Sequence, residues 1–174
     1  MKKFEIRKFA LASLLASVAA VIIIIGGFFE ILDLTVSAIA SFAVVIAVIE
    51  LKGKYPYFVY LTAAILSMIL MPMRSASIYF LCFLGFYPIL KAALVKLNRI
   101  LAWVVKFSAF NTCCIATFFI FKSVLGVADI SEKWIVVMLL ASNVFFVAYD
   151  YALSGIIALY IVKLRKILKL KNLF

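Results

Sequence analysis

Residues 1–28 read MKKFEIRKFALASLLASVAAVIIIIGGF, and whether this stretch is a leader or a helix decides how the rest of the chain is built. Its basic head, apolar stretch and small residues around Ala19 have the outline of a secretory leader. The apolar run, however, continues through Val21–Ile25 without a polar break. It reaches the length of about 20 residues that an α-helix needs to cross a bilayer. It is read as a retained first helix.

Outward from that helix the pattern recurs. Apolar runs at 8–28, 34–51, 56–72, 76–96, 100–123 and 134–162 give six expected spans within 174 residues. The connections are short: Phe29–Asp33, Lys52–Tyr55, Met73–Ser75, Leu97–Arg99 and Leu125–Lys133. Hydrophobic residues make up 69% of the chain, against roughly 45–50% in soluble domains. With a mean hydropathy of +1.28, nothing is left over for a water-soluble domain. Backbone groups cannot go unpaired in lipid, and the runs lack the alternation of barrel strands. The expected fold is therefore an all-α membrane protein, a compact bundle of six transmembrane helices forming a single integral membrane domain over 1–174.

Charge gives the bundle a direction. Lysine and arginine number 18 against 7 acidic residues. In a soluble protein that excess would point to nucleic acid; here it sits at helix ends, where it orients the chain and meets anionic lipid head groups. Fourteen basic residues fall on one side: Lys2, Lys3, Arg7, Lys8, Lys52, Lys54, Lys91, Lys96, Arg99, Lys163, Arg165, Lys166, Lys169 and Lys171. Arg74, Lys122 and Lys133 fall on the other, with Lys106 inside the fifth span. Both termini are expected to be cytoplasmic, in a bacterial cytoplasmic membrane. The basic tail, 163–174, either anchors the sixth span or lies along the inner leaflet.

Polar groups inside a membrane are costly, so each needs an account. Asp150 is the clearest, with long apolar or aromatic stretches on both sides. Asn143, Asp150 and Ser154 share one helix face by spacing, and a ligand or ion site and a buried structural pair are both open readings. On the fifth span Ser108, Asn111 and Thr112 cluster as possible partners; Lys106 either neutralises Asp150 or snorkels to the head groups. In the fourth span Gly85 and Pro88 predict a kink, since Pro88 donates no hydrogen bond and clashes with the Leu84 carbonyl. Tyr79 and Tyr87 either line a cavity there or anchor the span at the interface, and Glu50 and Lys91 are candidates to pair at the inner face. Between the first two spans stand Gly26, Gly27, Glu30 and Asp33. Asp33 is placed to cap the second helix. Glu30 has no such role and, with the glycines and aromatics, suits a small outer gate or recognition loop. The tentative ligand set is thus Asp150, Asn143, Asn111, Tyr79 and Glu30.

Other chemistry is excluded more simply. The chain has no histidine, which removes the commonest general base and metal ligand. Cys82, Cys113 and Cys114 all fall within apolar runs and read as packing residues, not as a metal site. Phosphate-binding glycine loops, nucleophile elbows and hydrolytic carboxylate pairs do not occur. No enzyme, metal or cofactor is expected. Uphill movement of a solute would have to draw on an ion gradient or on partner ATPases.

The first span carries Ala12, Ala16 and Ala20 at four-residue intervals, a small-residue face that lets another helix approach closely, within the chain or from a partner. Six short-looped helices with such a face resemble the substrate-binding S components of energy-coupling factor (ECF) transporters. The resemblance implies that Ala12, Ala16 and Ala20 dock onto a transmembrane coupling subunit, itself served by ATPase subunits. It also implies an outward-facing pocket for a small molecule, covered by outer loops. Two other classes remain open: a non-transport scaffold of cell-shape or envelope machinery, similar in size to the MreD-like family, and a gradient-driven small transporter with Asp150 as its ion carrier.

Overall fold

The computed structural model describes residues 3–29, 32–51, 53–71, 75–125 and 132–164. Among these the chain is helical, with no strand. The helices are α1 (Lys3–Gly26), α2 (Asp33–Glu50), α3 (Tyr55–Leu70), α4 (Ser75–Tyr79), α5 (Tyr87–Leu94), α6 (Arg99–Leu125) and α7 (Glu132–Leu159). A π-helical turn, Phe80–Leu84, joins α4 towards α5, and another, Tyr160–Leu164, follows α7. Five stretches are long and apolar enough to cross a membrane: Glu5–Gly26, Asp33–Glu50, Ser75–Leu94, Arg99–Ser123 and Val137–Lys163.

The third expected span is the departure. α3 is an apolar helix of 16 residues, about 24 Å of rise against a hydrocarbon core of about 30 Å. Its ends explain this. Pro56 sits in the first turn, where a missing N–H is harmless. Met71 leaves helical geometry, with φ −132° and ψ 71°; it precedes Pro72, and a residue before proline is pushed out of the α region. At the other end, the α2–α3 turn contains Gly53 at φ 63°, the left-handed region that glycine enters without strain.

The chain divides into two compact units, Met1–Lys106 and Phe107–Phe174, with the boundary inside α6. In the first, α1 packs against α2 and α3, and α2 also meets α3, α4 and α5. The inner face of α1 is built from Ala12, Leu15, Ala16, Ala19, Ala20 and Ile23, all buried, while Leu14, Val18, Val21 and Ile25 are exposed. Two faces repeating at three- and four-residue steps are what a helix needs to offer packing on one side and lipid on the other. Apolar helices gain little from burial against one another in lipid, so association rests on close packing and interhelical hydrogen bonds. The alanines permit the first. Gly26 permits it too: a Cβ there would run into the Val36 side chain of α2.

Hydrogen bonds between helices supply the second. Ser37 Oγ on α2 lies 2.7 Å from the Ala76 carbonyl of α4 and 2.7 Å from its own helix's Asp33 carbonyl. Ser77 Oγ donates to the Ser67 carbonyl of α3 at 3.3 Å. Tyr60 Oη of α3 donates to the Leu81 carbonyl at 2.7 Å.

The second unit holds the rest of α6 and α7. Its described core is aromatic: Phe146 is fully buried, stacks on Phe110 at 4.6 Å and meets the edge of Phe107 at 5.4 Å.

Candidate functional site

Polar side chains gather at the end of the first unit where α2 and α4 begin. Asp33, Ser37 and Ser41 recur at four-residue steps on α2 and therefore share a face. All three are buried, as are Ser67 of α3 and Ser77 of α4. Ser37 reaches Ala76, so this face is turned towards α4. Asp33 does not cap α2. Leu32 occupies the cap position and Asp33 is the first helical residue. There a carboxylate is favoured by the positive end of the helix dipole. Its side chain, only 9% exposed, is close enough to Tyr79, the last residue of α4, to act on it electrostatically. A buried carboxyl and a half-buried phenol thus lie within electrostatic reach of one another, while the hydroxyls of Ser37, Ser41, Ser67 and Ser77 are turned to backbone carbonyls.

Directly after Tyr79 the fourth span changes character. The Gly85 N–H reaches back five residues to the Phe80 carbonyl at 2.9 Å, passing over Leu81. The Leu81 carbonyl takes the Tyr60 hydroxyl instead. Phe80 folds against Gly85 so tightly that a Cβ would meet its ring and carbonyl at 2.8 Å. Pro88 lies in the first turn of α5, and the N–H groups of Ile89 and Leu90 both return to Phe86, at 3.1 and 3.2 Å. Gly85 and Pro88 thus sit at a break in the ladder, at the junction of two short helices. Below the break Tyr87 is fully buried, with the Lys91 ammonium 5.9 Å from its ring centre.

In the second unit the two asparagines meet. Asn111 Nδ2 donates to Asn143 Oδ1 at 3.3 Å and Asn143 Nδ2 donates to Asn111 Oδ1 at 3.1 Å. Each amide also donates to the carbonyl four residues back, Phe107 at 2.9 Å and Leu139 at 2.7 Å. Both side chains are therefore engaged by protein alone, joining α6 to α7. Asp150, two turns further along α7, is 4% exposed. Ser154 leaves the stripe that spacing predicts for it: its side chain is exposed and its hydroxyl returns to the Asp150 backbone carbonyl at 2.8 Å. Ser108 and Thr112 are likewise exposed, with Thr112 Oγ1 on the Ser108 carbonyl at 2.9 Å. Such backward bonds are a common way for a hydroxyl to sit on an apolar helix. Lys106 has its ammonium 4.9 Å from the Trp103 ring centre on its own helix, a cation–π placement.

The remaining sequence expectations fall as follows. Ala12, Ala16 and Ala20, at 0%, 1% and 3% exposure, lie on the face of α1 that packs within the chain. Glu30 and the basic tail beyond 164 lie outside the described residues. Cys82, Cys113 and Cys114 are partly buried and form no disulfide among the described residues, and no group of metal-binding side chains occurs there either. Neither Tyr60 nor the buried serines carries a signal in the sequence pattern alone. A glycine and a proline three residues apart in one span call for outside donors to displaced carbonyls, but nothing in the sequence says which helix supplies them. The chain matches no family model, no curated protein and no solved structure.

Proposed function

We propose that this chain is a membrane-embedded substrate-binding subunit for small-molecule uptake, of the ECF S-component kind, energised by partner ATPases through a coupling subunit in a bacterial cytoplasmic membrane. The observation that carries this reading is the polar cluster of Asp33, Ser37, Ser77 and Tyr79 at one end of the first unit. The distribution of lysine and arginine supports an outer position for that end, where an uptake protein must meet its ligand. Mutually satisfied asparagines make Asn111 and Asn143 a structural clamp in this account, so of the sequence-derived ligand set Tyr79 is kept, with Asp33 added to it and Asp150 assigned to α7's buried face. Because Ala12, Ala16 and Ala20 serve internal packing here, a coupling subunit would engage a surface that α1 leaves open, such as the side bearing Ser13 and Ser17.

Purification from native membranes followed by mass spectrometry tests the reading. A bound small molecule together with a coupling subunit and ATPases is expected. Asp33→Asn and Tyr79→Phe should each weaken ligand retention about tenfold, the scale of one hydrogen bond to a charged group, with the protein still folded and Asp33→Asn no more than about 1 kcal/mol less stable. Absence of both ligand and subunits would end it. The second reading, a non-transport scaffold, is favoured by the Asn111–Asn143 clamp and the internal alanine face; it expects stable protein partners and no small molecule.

A further inference from the structure

We propose that the fourth span is a hinge at Phe80–Leu84, latched in the conformation described here by the hydrogen bond from Tyr60 to Leu81. A helix transmits displacement along an unbroken ladder of bonds four residues apart. Here the ladder is interrupted three times in succession: by the five-residue bond from Gly85 to Phe80, by the turn at Gly85 and Phe86, and by Pro88, which has no N–H. π-turns and glycine–proline combinations are the places where helices bend.

Both arms pack on α2, and α4 is bonded to α3 as well. α4 is held through Ser37 on α2 and Ser67 on α3, by way of Ala76 and Ser77. α5 is held by the burial of Tyr87, Pro88 and Ile89 and packs on α2. Between them the π-turn packs on α2 and α3, and a hydroxyl of α3 reaches its backbone. Tyr60 bonds the carbonyl that the π-turn bypasses, and its ring lies 6.1 Å from Phe80 and 6.1 Å from Phe86, one on each side of the break. Ring faces slide at little cost, whereas a short hydroxyl–carbonyl bond fixes one register. The hydroxyl is therefore the latch and the rings are its bearing. Its release lets α4, with Tyr79 at its end, tilt relative to α5.

Hydrogen–deuterium exchange on the whole protein in lipid nanodiscs tests this with Tyr60→Phe, which removes the hydroxyl and keeps both ring contacts. Exchange at the amides of 80–86 should rise about two- to tenfold, the range for loss of one neutral hydrogen bond. Exchange over 12–23 of α1 should not change. Native Cys82 provides an independent readout within the π-turn: with Cys113 and Cys114 replaced by serine, its reaction with a maleimide should accelerate in parallel. Unchanged exchange at 80–86 would overturn the hinge, and so would an equal rise throughout α1–α5, which reports general loosening. Neither outcome depends on a ligand, so the hinge and the uptake reading stand or fall separately.

Discussion

Two glycines separate the role of space from that of helix propensity. Gly85 has Phe80 carbon and oxygen atoms at 2.8 Å from where a Cβ would stand; one is a backbone carbonyl that cannot turn aside. Gly155 on α7 has nothing within 4 Å. Gly85→Ala should therefore cost about 1–3 kcal/mol, the range for overpacking a filled site. Gly155→Ala should be neutral or gain up to about 1 kcal/mol, because alanine is the better helix former. Unfolding in detergent measures both. Asp33 shows how a local signature misleads at this scale. A carboxylate ahead of an apolar run is the usual mark of a helix cap, yet the helix begins at Asp33 itself with Leu32 before it. A shift of one position turns a cap into a buried carboxyl group.

The joint between α6 and α7 rests on reciprocal amides, which makes it measurable as a pair. Asn111→Ala, Asn143→Ala and the double variant form a cycle whose coupling energy should fall at roughly 0.6–2 kcal/mol, as for hydrogen bonds between helices in lipid. Asn111→Leu with Asn143→Leu should come closer to wild-type stability than either alanine variant, because no amide is then left with a lost partner. What was legible at the element scale follows from the same distinction. Apolar run length fixes where helices lie, and the ends of α1, α2 and α6 fall within a few residues of the sequence reading, apart from an earlier start to α1. Pro56 and Pro72 even account for the shortness of α3. Facing contacts between helices were not legible: Asn111 meets Asn143 across 32 residues, and Tyr60 meets Leu81 across 21. Hydropathy tells which residues are apolar but carries no register between one helix and the next.

Across the whole molecule the proposed uptake role depends on which way the chain crosses the membrane. The basic residues predict a direction, because lysine and arginine in short loops are retained on the cytoplasmic side. The described structure places Lys54 in the α2–α3 turn and Lys96 and Arg99 at the α5–α6 turn, all exposed, with the exposed Phe28 and Phe29 after α1. Neighbouring helices alternate in direction, so a cytoplasmic α2–α3 turn sets the Phe28 turn and the start of α2 outside. Single cysteines introduced in a cysteine-free background at Lys54, Asn98 and Phe28 read this out. Phe28→Cys should react with a membrane-impermeant maleimide on intact cells, whereas Lys54→Cys and Asn98→Cys should react only once the membrane is opened. The reverse pattern would place Asp33 and Tyr79 at the cytoplasmic face. A ligand arriving from outside could not then meet that cluster first, and the scaffold reading would take precedence over uptake.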